Sequence, residues 1–219
     1  MKFAIEVKDL NKRFGDVTVA SCLSLTLAAG SHTAILGESG CGKTTLLRML
    51  AGLETPNNGE IKLFGKNVAR VAPHLRQIAM TFQSPALWNH MTVKQNILFG
   101  VFGKDRKCRE TLLRELSELL EIDGLSAHFP PQLSGGQAKR VSLARALAAR
   151  REILLLDEPF SNLDKELKER MIPRLREKTA GQTLLLVTHD LDEADKLCDI
   201  KLFMKDGRLT TGDSDPQEG

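Results

Sequence analysis

Gly37-Glu38-Ser39-Gly40-Cys41-Gly42-Lys43-Thr44 lies between a strand pattern at residues 32–36 and a helix pattern at residues 45–51. Its three glycines let successive backbone N–H groups turn inward, and the helix start adds the positive end of its dipole, so the loop forms a concave anion site. In such a loop Lys43 reaches the β- and γ-phosphates of a nucleotide and the Thr44 hydroxyl holds Mg²⁺. The order of strand, glycine-rich loop and helix therefore predicts a phosphate-binding loop (P-loop).

Strand patterns alternate with helix patterns along the chain, which is typical of an α/β protein. The predicted strands lie at residues 3–8, 24–28, 33–36, 60–64, 78–82, 153–156, 183–188 and 200–204. Several are apolar at consecutive positions, as a strand covered on both faces requires, and this predicts a mainly parallel central sheet. The early strands are interrupted by Asn11, Gly15, Asp16 and Gly30, which favours an antiparallel flank.

No strand pattern occurs between residues 83 and 152, where helix patterns cover residues 111–120 and 137–149. In the first of these, leucines recur at helical spacing beside a charged face. We therefore predict a single domain over residues 1–219. Its P-loop NTPase core is formed by residues 1–83 and 151–206, a helical subdomain covers residues 84–150, and a short polar tail ends the chain.

The composition, with 42% apolar and 27% charged residues among 219, is typical of a soluble globular protein. The net charge is only +3, and the basic cluster at residues 104–109 contains no aromatic residues for stacking on bases, so no nucleic-acid partner is expected. The longest aliphatic run, residues 153–156, is far below the roughly 20 residues that cross a bilayer. Glu6 interrupts the first apolar stretch, so we expect no secretory signal and a cytosolic chain.

The four cysteines, Cys22, Cys41, Cys108 and Cys198, form no CxxC pair. Such isolated cysteines favour neither a zinc site nor a disulfide framework. We therefore expect reduced thiols.

Two adjacent carboxylates, Asp157 and Glu158, follow the apolar strand at residues 153–156. Open α/β sheets bind ligands at the carboxyl ends of their strands. There Asp157 would steady Mg²⁺ through water, and Glu158 would polarise an attacking water as a general base. Taken alone, the pair fits an ordinary solvated turn equally well.

The P-loop and the two acids would also fit a nucleotide kinase or a small-molecule kinase. A third segment, Leu133-Ser134-Gly135-Gly136-Gln137, opens the second helix pattern. Ser134 is placed as an N-cap, and the two glycines expose backbone N–H groups, so this helix start is a second anion site. By itself the pentapeptide is equally consistent with a capped helix start, but a kinase leaves it unexplained.

Together these motifs make the sequence resemble the ATP-binding subunit of ABC transporters over nearly the whole chain. Six features occur in the family's order: an aromatic before the first glycine turn (Phe14), Walker A (residues 37–44), a Q-loop glutamine (Gln83), the signature (residues 133–137), Walker B (residues 153–158) and a switch histidine (His189). A D-loop, Ser161-Asn162-Leu163-Asp164, lies between the last two. Several of these motifs are weak singly, but jointly they are very specific.

The resemblance implies that the cofactors are ATP and Mg²⁺ and that the catalytic residues are Glu158, His189 and Gln83. The residues that it implies for the nucleotide are Phe14, Gly37, Glu38, Ser39, Gly40, Cys41, Gly42, Lys43, Thr44, Thr45, Ser134, Gly135, Gly136 and Gln137. Those implied for Mg²⁺ are Thr44, Gln83 and Asp157. Phe14 would stack on adenine, although packing in the core is the alternative reading.

The resemblance also implies a head-to-tail dimer, most simply a homodimer, with each ATP held between the P-loop of one subunit and the signature of the other. Ser134 and Gly136 would contact the γ-phosphate across the interface, and Asp164 would act on the partner's site. The sandwich would close with ATP and loosen once phosphate has left.

As a member of this family, the chain would be an ATPase on the cytoplasmic face of the membrane, powering permease subunits. Residues 81–91 and the form of the signature favour an importer of a small polar solute, with an external solute-binding protein. The apolar segment 86–91 contains Trp88 and would dock the permease, or else pack within the helical subdomain. Alternatives are an exporter subunit, or a soluble ABC protein of translation or DNA repair; the soluble proteins usually carry two cassettes or a coiled-coil insertion.

Several details depart from the commoner family pattern. Ser31 stands where a glutamate is frequent, and Asn162 stands where alanine is usual in the D-loop. Glu38 stands where proline is frequent and places negative charge near the phosphates, which predicts a lower nucleotide affinity. Many importer subunits carry a regulatory domain after the cassette, whereas this sequence ends soon after Gly207. We therefore expect no regulation through such a domain.

Overall fold

The computed structural model describes residues 2–103 and 105–210. The strands are β1 (Phe3–Phe14), β2 (Val17–Ala28), β3 (His32–Leu36), β4 (Asn58–Leu63), β5 (Lys66–Asn67), β6 (Ile78–Thr81), β7 (Ile153–Asp157), β8 (Thr183–Thr188), β9 (Ile200–Lys205) and β10 (Arg208–Thr210). The helices are α1 (Lys43–Ala51), α2 (Val93–Leu98), α3 (Arg106–Leu119), α4 (Gly135–Ala148), α5 (Lys165–Lys178) and α6 (Leu191–Leu197). The predicted tail lies outside the described residues.

Two sheets form the framework. The larger has the strand order β10-β9-β3-β8-β7-β6, and all neighbours in it are parallel except β10 and β9. The smaller has the order β2-β1-β4-β5 and is antiparallel throughout. The predicted α/β fold, with a mainly parallel central sheet and an antiparallel flank, is confirmed.

The central strands are buried on both faces, as their consecutive apolar residues predicted. Leu154 and Leu156 of β7 face a core shared with α2 to α6, whereas Ile153 and Leu155 face a second core shared with α1 and the antiparallel sheet. In β8, Leu184 and Leu186 likewise face the first core, and Leu185 and Val187 face the second. The sheet is therefore the middle layer, and its strand ends are the places where loops can carry polar groups.

The first two strands are longer than their sequence pattern predicted. We expected Asn11 to interrupt the chain, yet β1 runs through it to Phe14 with shifts in register on both sides. The Asn11 side chain accepts a hydrogen bond from the backbone N–H of Cys22 at 2.9 Å and donates to the carbonyl of Asp9 at 2.7 Å. A polar side chain thus replaces missing ladder bonds at a β-bulge, so the interruption is a bend within one strand.

The helices α2, α3 and α4 occupy the part of the chain between β6 and β7, where no strand occurs among the described residues. Helix α3 buries the predicted leucine stripe, and α4 begins at Gly135, two residues before its predicted start. Strands β5 and β10 are short pairings that the sequence pattern missed. Within the described part of the chain, we find no helix with both the length and the hydropathy needed to cross a bilayer.

One buried side chain that we did not predict holds the end of α1. The guanidinium of Arg76 donates to the carbonyl oxygens of Met49 and Leu50, both at 2.9 Å, and to those of Val68 and Val71. The last carbonyl groups of a helix have no partner within the helix. Arg76 therefore closes the end of the helix that begins at the P-loop.

Candidate nucleotide-binding site

The P-loop connects β3 to α1 at the carboxyl edge of the central sheet. Two of its glycines are required by close contacts with other elements. A Cβ atom at Gly37 would lie 2.3 Å from the backbone oxygen of Met204, and one at Gly42, where φ is 110°, would lie 2.2 Å from that of Val19. Strands β9 and β2 therefore press on the loop from outside, and only glycine fits at these two positions.

The side chain of Lys43 packs against the P-loop, and the residue is only 5% exposed. Its ammonium donates to the carbonyl oxygens of Gly37 at 2.7 Å and Glu38 at 2.6 Å, and lies 3.7 Å from the sulfur of Cys41. The positive charge is therefore held inside the loop, where a phosphate group would bind. The side chain of Glu38 is exposed, so water screens its negative charge.

Thr44 and Asp157 meet directly, although they are far apart in sequence. The Thr44 hydroxyl donates to Oδ1 of Asp157 at 3.0 Å, while the buried Oδ2 has no hydrogen-bond partner. Burial raises the pKa of Asp157, and the hydrogen bond from Thr44 offsets only part of that effect. A hydroxyl beside an unsatisfied carboxylate oxygen is a donor set that suits Mg²⁺, so these residues fit the predicted metal.

The three predicted catalytic residues line one cleft of about 480 Å³. Gln83, Glu158 and His189 follow β6, β7 and β8, and parallel neighbouring strands end at the same edge of a sheet. Nδ1 of His189 lies 3.4 Å from Oε1 of Glu158. The sequence placed these residues in three separate segments, and the sheet brings them together.

Glu158 has a backbone φ of 43°, in the left-handed region that a non-glycine residue rarely adopts. Its N–H donates to the carbonyl of Val187 at 2.9 Å, and its own carbonyl accepts from the hydroxyl of Ser161 at 3.0 Å. Such a conformation costs of order 1–3 kcal/mol and persists only where surrounding contacts impose it. Glu158 in this conformation lines the cleft.

Sequence reasoning missed Lys139, which lines the same cleft. Its ammonium is hydrogen-bonded to the hydroxyl of Ser161 and lies 3.4 Å from the carbonyl oxygen of Glu158. Burial lowers the pKa of Lys139, and the carboxylate of Glu158 opposes this. Lys139 lies one helical turn after Gly135, and that spacing is the signal that could have placed it on the signature face of α4.

The signature residues form the predicted helix cap. The Ser134 hydroxyl accepts from the N–H of Gln137 at 3.2 Å, and the Gln137 side chain accepts from the N–H of Ser134 at 2.8 Å. Gly136 packs against the D-loop, where an added Cβ would lie 3.2 Å from Leu163. Gly135 lines the cleft that contains Gln83, Glu158 and His189, and in the described part of the chain no hydrogen bond joins residues 134–137 to residues 37–45.

Phe14 ends β1 and is 47% exposed, so it does not belong to the core. The ammonium of Lys12 lies 4.6 Å from its ring centroid, a cation–π contact. The predicted contact with adenine requires an accessible ring, and the exposure of Phe14 is compatible with it. The remaining predicted residue, Thr45, is half-buried in the first turn of α1.

This arrangement of P-loop, acidic strand end and capped signature helix agrees with the outcome of comparison with known proteins. Residues 21–161 match the family model described as ABC transporter. The chain belongs to the ABC transporter family. The resemblance that the motifs indicated is thereby confirmed at the level of the family.

Relatives within the ABC transporter family include two bacterial import proteins. The chain is 42% identical over 210 residues to the Fe(3+) ions import ATP-binding protein FbpC of Brucella melitensis. It is also 42% identical over 214 residues to the sulfate/thiosulfate import ATP-binding protein CysA of Burkholderia mallei. Each comparison covers 94% of this chain but only 60% or 61% of the relative, so the chain spans about three-fifths of their length.

Solved structures of ABC cassettes have the same fold. The dimeric post-hydrolysis state of the ATP-binding cassette MJ0796, bound to ADP and Pi, superimposes with a TM-score of 0.85 at 28% identity. A dimeric structure of MJ0796 described as a bacterial ABC transporter cassette gives 0.86 at the same identity. Both cover 94% of this chain and 96% of the other, so the described fold is that of a whole ABC cassette.

Proposed function

We propose that this chain binds and hydrolyses ATP with Mg²⁺ and thereby powers solute import through separate membrane subunits. The observation that carries the proposal is the convergence of three features at one sheet edge. They are the P-loop with its buried Lys43, the unsatisfied oxygen of Asp157 beside Thr44, and the cleft that contains Glu158 and His189. The names of the import relatives support the transport part of the proposal.

In this mechanism the backbone N–H groups of the P-loop and the ammonium of Lys43 bind the β- and γ-phosphates. To do so, Lys43 exchanges its contacts with the carbonyls of Gly37 and Glu38 for phosphate oxygens. Thr44, Asp157 and Gln83 would hold Mg²⁺, which would neutralise charge on the phosphates when bound. The loop therefore fixes the nucleotide before any bond is broken.

Hydrolysis then uses the cleft beside the P-loop. A water oxygen attacks the γ-phosphorus, its proton passes to the carboxylate of Glu158, and ADP leaves with the bridging oxygen. His189, 3.4 Å from that carboxylate, orients it and contacts the γ-phosphate. The strained backbone of Glu158 keeps the carboxylate aimed at the water.

We propose that a second copy completes each site. Within one chain the signature helix start packs against its own D-loop and has no hydrogen bond to its own P-loop among the described residues. A capped helix start with two glycines attracts anions. In a head-to-tail dimer this start faces the γ-phosphate bound by the partner, and Asp164 lies near the partner's site.

We expect Gly135→Asp to lower ATP hydrolysis by about 10²-fold, because juxtaposed like charges at an interface cost several kcal/mol. ATP binding by the monomer stays unchanged, since the P-loop is untouched. An added Cβ at Gly135 has no heavy atom within 4 Å, so the substitution fits the fold of the monomer. Because Gly135 also lines the cleft of its own chain, the dependence of the rate on protein concentration is needed to identify the composite site. Steady-state hydrolysis and equilibrium binding of a fluorescent ATP analogue measure the two effects.

Gly135→Ala is the matched control, because it adds the same Cβ without the charge. We expect it to retain hydrolysis within about 3-fold, the spread of ordinary side-chain contributions. Wild-type hydrolysis per chain should also increase with protein concentration, as a dimeric active species requires. Full activity of Gly135→Asp, or a rate per chain independent of concentration, would contradict the composite site.

We propose that the chain works at the cytoplasmic face of the membrane, held there by permease subunits, with an external solute-binding protein supplying the solute. The aromatic pair of Trp88 and Phe99 supports the docking site. Their ring centroids are 4.3 Å apart, Phe99 is exposed, and the guanidinium of Arg145 lies 4.5 Å from the Trp88 ring centroid. An exposed aromatic surface of this kind often marks a protein interface.

We expect Trp88→Ala to weaken co-purification with the permease subunits by at least about 10-fold, as loss of an aromatic anchor does at many interfaces. Basal hydrolysis by the isolated chain should change little, because Trp88 lies outside the catalytic cleft. Ile200→Ala, at an exposed apolar residue that begins β9, is the control. Unchanged assembly and unchanged transport-coupled hydrolysis would remove the docking proposal.

A further inference from the structure

A cluster of charged residues lies directly behind His189, between α5 and α6. The ammonium of Lys168 contacts Oε1 of Glu193 at 2.6 Å and Oδ2 of Asp190 at 3.2 Å. The other carboxylate oxygen of Glu193 accepts from the hydroxyl of Thr188 at 2.6 Å. Glu193 is only 2% exposed, whereas Lys168 and Asp190 are partly exposed, so the cluster is buried at Glu193 and reaches the surface at Asp190.

The network holds the chain on both sides of His189. The N–H of Asp190 donates to the hydroxyl of Thr188 at 3.1 Å, and the Asp190 carboxylate caps α6 by accepting from the N–H groups of Asp192 and Glu193. By contrast, the side chain of His189 is 61% exposed and its one side-chain contact in the described structure is with Glu158. The position of the imidazole therefore depends on the turn on which it stands and on its contact with Glu158.

Among the described residues, Lys168 is the cation that forms ion pairs with Glu193 and Asp190. Burial lowers the pKa of Lys168, but its contacts with Glu193 and Asp190 outweigh burial and raise the pKa above the ordinary value, so the ammonium stays charged. Burial also raises the pKa of Asp190, and hydrogen bonds from the backbone of Glu193 and from Lys168 bring it below the ordinary value. Without Lys168, the buried carboxylate of Glu193 would lose its compensating charge.

Lys168 also belongs to the first turn of α5, the helix that the D-loop begins. The carboxylate of Asp164 caps α5 by accepting from the N–H of Leu167 at 2.8 Å, and the N–H of Lys168 donates to the carbonyl of Asp164 at 3.1 Å. The first turn of α5 thus has Asp164, the proposed dimer-contact residue, at one end and Lys168, which holds the turn of His189, at the other.

We propose that Lys168 is a positioning residue that sets the orientation of His189 toward the γ-phosphate by holding Asp190 and Glu193. This inference rests on the proposed hydrolysis of ATP, and it adds a residue that none of the motifs contains. Lys168 is not among the residues that line the cleft, and its side chain contacts Asp190 and Glu193, so it acts through the turn. Its loss should therefore alter the chemical step and spare nucleotide binding.

The test is Lys168→Met, which removes the charge and keeps most of the length, compared with Lys168→Arg, which keeps the charge. We expect Lys168→Met to lower kcat for Mg²⁺-ATP by about 10- to 100-fold with KM unchanged, as misplacement of a catalytic group does. Lys168→Arg should recover most of the lost activity. A change in KM with kcat intact would overturn the proposal.

A double-mutant cycle separates positioning from general damage to the fold. In the background of His189→Ala, Lys168→Met should produce no further loss of kcat, because the residue through which it acts is gone. The same fold loss in both backgrounds would overturn the proposal. Absence of hydrolysis by the wild-type chain would instead contradict the proposed function, so the two failures are distinguishable.

Lys168→Met alone leaves the buried carboxylate of Glu193 with its hydrogen bond from Thr188 but without the ammonium that contacts it, which can prevent folding. The variant Lys168→Met/Glu193→Gln removes both charges and should fold, as thermal unfolding will measure. Because the link to the His189 turn is still broken, we expect its kcat to remain about 10-fold or more below wild type. Wild-type kcat in this double variant would overturn the proposal.

Discussion

Replacing Glu158 by glutamine is expected to slow ATP hydrolysis by about 10²- to 10⁴-fold, the contribution of a positioned general base. Glutamine has the same shape and can still accept a hydrogen bond from His189, but it cannot take a proton from water. Binding of ATP should be unchanged, because the P-loop and Asp157 are intact. Single-turnover hydrolysis and equilibrium binding of ATP measure these effects separately.

The Glu158→Gln variant should also accumulate as an ATP-bound dimer, since the nucleotide that closes the sandwich is no longer consumed. Light scattering after gel filtration with Mg²⁺-ATP measures this directly. The matched control is Glu152→Gln, at an exposed glutamate that directly precedes the first residue of β7. A Glu158→Gln protein that stays monomeric with ATP at high protein concentration would contradict the sandwich dimer.

Replacing Lys43 by alanine should weaken the binding of Mg²⁺-ATP itself by about 10²-fold or more. A charge-assisted hydrogen bond contributes about 1.5–3 kcal/mol, and the ammonium of Lys43 makes two hydrogen bonds that it can redirect to phosphate oxygens. Hydrolysis is lost as a consequence of lost binding. Titration calorimetry with ATP analogues gives the change in Kd.

Lys107→Ala, at an exposed lysine in α3, controls for a general loss of positive charge and should bind Mg²⁺-ATP like the wild type. Thermal unfolding without nucleotide shows whether Lys43→Ala keeps the fold. Retention of hydrolysis by a folded Lys43→Ala protein would contradict the assignment of this loop as the nucleotide site.

Much of the fold could be predicted because the central strands are apolar at consecutive positions. In β7 and β8 every residue is buried, and no other environment suits such runs in an α/β chain. The bend at Asn11 could not be predicted. A polar residue within a strand pattern indicates a break in the strand unless the hydrogen-bond partner of its side chain is known. For Asn11 that partner is the backbone N–H of Cys22 on the neighbouring strand.

A local segment that carries its own chemistry, such as the P-loop, could be interpreted from its residues alone. Gln83, Glu158 and His189, which the sheet brings together, were predicted through the resemblance to a family. Side chains outside the motifs, whose contacts arise only from packing, were missed. Lys139 and Lys168 read as ordinary surface lysines of amphipathic helices. Lys139 instead contacts the turn after β7, where its ammonium is hydrogen-bonded to Ser161. Lys168 contacts the segment after β8, where its ammonium binds the carboxylate of Glu193. Arg76 likewise gave no signal in the sequence, because its four acceptors are backbone oxygens.

The sequence by itself determined the order of strand, glycine-rich loop and helix, the two-faced burial of the sheet and the cap of the signature helix. These follow from backbone sterics, hydrophobic periodicity and hydrogen bonds between residues a few positions apart. Only the tertiary structure decided that Asp157 keeps one oxygen unsatisfied beside Thr44 and that Lys168 anchors the turn of His189. Charged side chains on separate elements come into contact only when packing fixes the distances between those elements. These distances cannot be calculated from the spacing of the residues along the chain.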